Sequence, residues 1–250
     1  MANLQDTLKK YTKLGYYEKF DYHWGMTIDL DRCSGCEACV VACQAENNIP
    51  TVGEKLIKEG KEIKWLRVER YWQGEYPNIK LTFLPMLCQH CDTAPCEIAC
   101  PVSATYHNPD GLNTQIYNRC IGTRTCAVYC VYDARYFNWY THTWDEPLEQ
   151  QLNPEVTVRE RGVMEKCTFC IQRIRSAKDT AKDEGRRLRD GDVTPACVQS
   201  CPTEAMVFGD MNDPDSRVSK MAADSRGYKV LKELNTDPSI VYLSKVESHV

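Results

Sequence analysis

Residues 33–43 read CSGCEACVVAC, with cysteines at Cys33, Cys36, Cys39 and Cys43. The spacing is C-x-x-C-x-x-C-x-x-x-C. Three thiolates on one tight loop reach three iron corners of a cubane cluster, whereas the fourth, one helical turn later, points toward a different cluster. Such geometry makes clusters come in pairs, so further groups are expected along the chain. Three follow: Cys88, Cys91, Cys96 and Cys100; then Cys120, Cys126 and Cys130; then Cys167, Cys170, Cys197 and Cys201. Each group closes with three residues between its last two cysteines (CVVAC, CEIAC, CAVYC, CVQSC), which makes the pattern an internal repeat of a loop running into a helix start.

The chain holds 15 cysteines in 250 residues, an odd number that suits neither a complete disulfide framework nor an ordinary cytosolic enzyme. Paired C-x-x-C units also occur in zinc ribbons, but one tetrahedral zinc has no use for a third cysteine in the same loop and a fourth one turn on. Aliphatic residues are sparse around the cysteines, so bound metal must supply part of the core and the metal-free chain is expected to be unfolded. The third group, CIGTRTCAVYC, carries Thr123 where a cysteine would complete the run. A hydroxyl is a poor ligand for a soft iron site, which favours a vacant corner and a [3Fe-4S] cluster; the alternative is a [4Fe-4S] cluster completed by solvent or another side chain. His90, His107 and His142 lie near the cluster loops and could donate hydrogen bonds or bind iron, but with cysteines sufficient a structural role is expected. Arg135–Tyr140, RYFNWY, reads as core and interface packing.

The formal charge of -4 offers no basic footprint for nucleic acid. The opening MANLQDTLKKYTKLGYYEKF lacks the apolar stretch of a secretory leader, and no later segment supplies the roughly 18 apolar residues of a membrane span. Taken alone, that reads as cytoplasmic. Strands are expected over MTIDLD (26–31), as a hairpin from KWLRVERYW (64–72) and NIKLTF (78–83) with Gly74 and Pro77 in the turn, and over AMVFGD (205–210) as far as Gly209. IQRIRSAKDTAKDEG (171–185) reads as an exposed helix, and the mixed charges of 178–190 as a solvated helix and loop rather than a docking surface.

CSGCEACVVAC, CQHCDTAPCEIACPVSATY with NPDGL, NRCIGTRTCAVYC, and EKCTFCIQRI with PACVQSCPTEAMVFGD carry a family resemblance that runs over most of the chain, from 26 to 210. They resemble the four-cluster iron-sulfur subunits of the complex iron-sulfur molybdoenzyme family. CIGT followed by ARYFNW looks most like the iron-sulfur subunit of the bacterial quinone reductase complex or the corresponding module of alternative complex III. The resemblance implies an α+β fold of two ferredoxin-like modules, the inner (80–140) nested within the outer (26–48 with 163–210), with a strand insertion (49–79) and a C-terminal helical extension (211–250). It also implies crossed ligation: Cys33, Cys36, Cys39 and Cys201 at one cluster; Cys167, Cys170, Cys197 and Cys43 at the next; Cys88, Cys91, Cys96 and Cys130 at a third; and Cys100, Cys120 and Cys126 at a [3Fe-4S] cluster with Thr123 at its vacant corner. Val131 departs from the family's proline after the third group, which is expected to loosen the local turn without removing a ligand.

The chain shows no nucleophile, acid–base pair or nucleotide loop, so one-electron transfer is the expected activity and catalysis by this chain alone is not. By resemblance the partners are a molybdopterin-enzyme-like subunit, a quinone-binding integral membrane subunit and a multihaem cytochrome c. The complex would sit on the periplasmic face of the cytoplasmic membrane, the chain having crossed bound to a signal-bearing partner. The competing functions are electron entry to a catalytic molybdenum reductase and a free multi-cluster ferredoxin.

Overall fold

A computed structural model describes residues 21–246. The opening stretch 1–20, which bears on the question of a leader, lies outside the described residues. At the centre is a four-stranded sheet in the order Met206–Asp210, Trp24–Asp29, Ile240–Leu243, Gly227–Tyr228. Every residue of Trp24–Asp29 is buried, because a strand covered on both faces has no reason to alternate. The strand begins two residues before the expected MTIDLD and stops at Asp29, whose Oδ1 accepts the N–H of Asp31 at 2.9 Å to start the turn into Cys33. Met206–Asp210 pairs with it antiparallel, Ile28 opposite Met206. This pairing brings the chain entering the first cysteine group beside the chain leaving the fourth.

The C-terminal segment differs from a helical extension. Its helix Arg217–Ala222 is only six residues long, and Ile240–Leu243 pairs parallel with Trp24–Asp29 inside the central sheet. IVYL is an apolar run of four, all buried, and a run that short carries no periodicity to separate strand from helix. Tyr242 fixes the strand to its surroundings: its hydroxyl donates to the Pro85 carbonyl at 2.9 Å and accepts from Gln89 Nε2 at 3.1 Å, on either side of the entry to the Cys88 loop.

The expected hairpin forms from Leu66–Gln73 and Lys80–Leu87, antiparallel from Leu66–Leu87 to Gln73–Lys80. Gly74, at φ 85, turns the chain where a Cβ would strike the Asn78 carbonyl. The returning strand runs directly into Cys88, so the hairpin links the insertion (49–79) to the inner module (80–140). Ile171–Asp183 is helical as expected but half-buried: Ile174 and Ala181 face the core, and Arg173 pairs with Glu46 at 2.6 Å. A buried ion pair, Arg159 to Glu165 at 2.9 Å, anchors the loop before the fourth group. Arg159 also donates to the carbonyls of Asn47 (2.7 Å) and Asn48 (3.1 Å), which close the helix Ala38–Glu46 bearing Cys39 and Cys43.

Candidate iron-sulfur sites

Groups one and three adopt the same loop. Gly35 (φ 69) and Glu37 (φ 61) are matched by Gly122 (φ 72) and Arg124 (φ 61), and helices begin at Ala38 and Thr125. Alternating left-handed residues curl the backbone inward so that successive cysteines face one centre, a conformation that favours glycine. A Cβ at Gly35 would run into the Phe83 ring. Thr123 therefore stands, backbone for backbone, where Cys36 stands in the first group.

The cysteines gather into four sets drawn from different groups. Cys33, Cys36, Cys39 and Cys201 line one cavity, and Cys88, Cys91, Cys96 and Cys130 line another. Cys43 lies within electrostatic reach of Cys167, Cys170 and Cys197, and Asn47 Nδ2 approaches both Cys43 Sγ (3.7 Å) and Cys170 Sγ (3.8 Å). Cys126 has the same relation to Cys120 and Cys100.

The last cysteine of three groups sits in one recurring turn. The N–H of the residue three further on returns to the cysteine carbonyl: Ser103 to Cys100 (3.3 Å), Asp133 to Cys130 (3.1 Å), Glu204 to Cys201 (3.2 Å). The next N–H, always of a buried alanine, donates to sulfur: Ala104 to Cys100 (3.2 Å), Ala134 to Cys130 (3.4 Å), Ala205 to Cys201 (3.3 Å). Ser103, Asp133 and Glu204 all have φ between 46 and 50, each costing about 1 kcal/mol of strain. The expectation that Val131 loosens its turn is thus corrected. Its turn closes with the same two hydrogen bonds as those after Pro101 and Pro202, neither of which needs the proline ring. The repeat C-x-x-x-A is visible in the sequence and marks the donors to sulfur that cysteine spacing alone misses.

Comparison with known proteins gives the family. A family described as "4Fe-4S dicluster domain" matches residues 79–146, and a second so described matches 32–104. The iron-sulfur cluster-binding subunit of menaquinone reductase from Nitratidesulfovibrio vulgaris is 46% identical over 92% of this chain and 92% of its own length. The chain belongs to the 4Fe-4S dicluster iron-sulfur subunits. Other relatives are the iron-sulfur subunit of a putative dimethyl sulfoxide reductase from Halobacterium salinarum, 37% identical over 89% of this chain and 79% of its own, and an iron-sulfur subunit of the Hdr-like menaquinol oxidoreductase from Archaeoglobus fulgidus, 35% identical over 88% and 82%. Like them, this subunit carries iron-sulfur clusters and transfers electrons without being catalytic on its own.

The donor set of the subunit fits such clusters. Burial, and after it the neighbouring thiols, push Cys39 up to about 12 and Cys43 and Cys197 well above an ordinary thiol. Each group is thus a buried thiol that gains a partner when it gives its proton up to a soft metal. At Cys100 burial also raises the thiol, but the N–H groups of Val102, Ala104 and Thr105 outweigh it and hold this sulfur below its ordinary value. Lys166 is fully buried, and among the described residues its ammonium donates only to carbonyls, those of Asn113 and Cys167 (2.9 Å to the latter). A buried cation without a carboxylate is costly, and anionic clusters bound beside it would supply the missing charge.

The histidines stand apart from the thiol sets. His90 stacks on Phe169 at 3.9 Å, and burial followed by the nearby Lys166 keeps it well below the usual imidazole range. His107 pairs with Glu97, and His142 Nε2 lies 3.0 Å from Asn138 Oδ1. Within 135–140, Phe137 and Trp139 meet edge to face at 4.7 Å beneath the Arg124 guanidinium, which makes them packing residues. Arg135 is different: it is buried against the thiols, and the aromatic reading of its neighbours hid it.

Proposed function

We propose that the subunit relays single electrons along a line of four clusters, three [4Fe-4S] and one [3Fe-4S], between a quinone-binding membrane subunit and a second redox partner. Cys33, Cys36, Cys39 and Cys201 would hold the first, Cys43, Cys167, Cys170 and Cys197 the second, Cys88, Cys91, Cys96 and Cys130 the third, and Cys100, Cys120 and Cys126 the three-iron cluster. Thr123 faces its vacant corner. On this assignment 26–48 with 163–210 form an outer ferredoxin-like module around an inner one, 80–140.

The observation that carries the reading is the exposure of the ends of the line. Cys36 and Thr123 are exposed, whereas Cys43, Cys88, Cys91, Cys96, Cys167, Cys170 and Cys197 are buried. Neighbouring sets also lie within electrostatic reach of each other, Cys39 of Cys197 and Cys88 of Cys167. A relay needs two terminals at the surface and an interior that excludes water, and this arrangement supplies both. The clusters, when bound, supply one-electron chemistry whose potential the surrounding protein sets.

Among the described residues no helix is long and apolar enough to cross a membrane, so quinone would be reached through a membrane partner. The menaquinone reductase relative favours that partner, and the resemblance to the molybdoenzyme family adds a molybdopterin-enzyme-like subunit and a multihaem cytochrome c on the periplasmic face. The subunit itself should contain about 15 irons and about 16 sulfides and, oxidised, give the paramagnetic signal of a three-iron cluster. Thr123→Cys should add about one iron, remove that signal and slow electron exchange with quinone while the complex stays assembled. Stoichiometric zinc in place of iron, or no three-iron signal in the parent, would overturn the assignment.

A further inference from the structure

Two cations are sealed inside the molecule between the cysteine sets. Arg135, 3% exposed, sends Nη1 to Gln115 Oε1 at 2.9 Å and Nη2 to Asn113 Oδ1 at 3.0 Å. It lines the cavity of Cys88, Cys91, Cys96 and Cys130, and its field also falls on Cys126. Lys166 occupies the next gap, with its field falling on Cys96 and on Cys167. Asn113 joins the two: its side-chain oxygen accepts from Arg135, its backbone oxygen accepts from Lys166, and its Nδ2 lies 3.8 Å from Cys96 Sγ.

Both cations thus end their hydrogen bonds to oxygen on neutral groups, and among the described residues no carboxylate pairs with either. The groups that favour the charged state of Arg135 are the thiols of Cys96, Cys126, Cys88 and Cys130. A fold seeking stability alone would put an apolar side chain at such a position. Reducing a cluster adds one negative charge, and a cation fixed beside it stabilises the reduced form over the oxidised one, the more so where water is excluded.

We propose that Arg135 and Lys166, linked through Asn113, are positioning residues that raise the reduction potentials of the interior clusters and keep them from becoming barriers between the exposed ends. This role rests on the cluster assignment above. The alternative is that Arg135 is a cross-link whose shape matters and whose charge does not.

The test is an anaerobic potentiometric titration of the native complex, followed by electron paramagnetic resonance, for the parent, Arg135→Gln and Arg135→Lys. The Gln variant keeps hydrogen-bonding capacity without charge; the Lys variant keeps charge without the fork. Arg135→Gln should shift the reduction equilibrium of the adjacent cluster at least about tenfold toward the oxidised form, about 59 mV lower for one electron. Arg135→Lys should stay near the parent. Lys166→Gln should lower the two clusters flanking it, and the signal of the Cys33 set should not move. Loss of the cluster in the Gln variant alone, with the Lys variant parental, would also support the charge. Equal behaviour of the two variants, whether both parental, both shifted or both stripped of iron, would overturn it, as would a shift in the Lys variant alone. Failure of the assignment itself would show separately, in the iron count and three-iron signal of the parent.

Discussion

Replacing Arg159 by Met breaks an ion pair whose partners are each 1% exposed. Glu165 keeps donors from Trp65 Nε1 (3.3 Å) and Asn138 Nδ2 (3.1 Å), but its buried charge loses its ion-pair partner. Removing one partner of a buried pair costs about 3–5 kcal/mol. The carbonyls of Asn47, Asn48 and Thr157 also lose their donor, each loss being about 1 kcal/mol or more where water cannot enter. These terms overlap, so about 4 kcal/mol is expected, a large part of the roughly 5–15 kcal/mol that holds a domain folded. The double variant Arg159→Met, Glu165→Leu buries no charge and should recover part of that loss, the three carbonyls staying without their donor. Since cluster loss makes unfolding irreversible, the assay is the anaerobic rate of cluster bleaching in guanidinium, compared at one denaturant concentration. A single variant that bleaches at the parental rate, or a double variant no slower than the single, would refute the argument.

Further outcomes follow from the same structure. Gly35→Ala forces a side chain into φ 69 and against Phe83, and should cost the Cys33 site its cluster, read as about four fewer irons per chain. Tyr242→Phe leaves the Pro85 carbonyl without its donor and should cost about 1–2 kcal/mol, seen as faster bleaching; an unchanged rate would mean that the C-terminal strand is dispensable. Asp29 accepts from Arg226 Nη1 (3.2 Å) and Nη2 (3.0 Å); burial raises its carboxyl, but Arg226 and the Asp31 N–H outweigh that and hold it below the ordinary 3.8. Its stabilising contribution is therefore complete above pH 3.8 and lost as pH falls through the lower folded value. Asp29→Asn should cost about 1 kcal/mol at neutral pH, and the gap from the parent should close in acid; a gap independent of pH would remove the assigned role.

Much of this subunit is local, and local features are legible in order along the chain. Cysteine spacing dictates loop-then-helix units because three or four residues decide where each thiol points, and the hairpin at 66–87 follows from alternation and a glycine turn in the same way. Thr123 stands out for the same reason, as one letter missing from a repeat. The C-x-x-x-A turns are equally present in the letters, yet their meaning depends on backbone N–H groups that carry no side-chain signature. What the sequence alone could not reach is set by long-range pairing. Cys201 joins Cys33 because Met206–Asp210 lies antiparallel beside Trp24–Asp29, and IVYL becomes a central strand only because the other edge of Trp24–Asp29 is free to receive it. Arg135 reads as one letter of an aromatic packing segment, and Lys166 as one charge among many in a charged chain. Tertiary packing alone turned them inward between the thiol sets, because a buried cation is tolerable only where anions gather from distant parts of the chain.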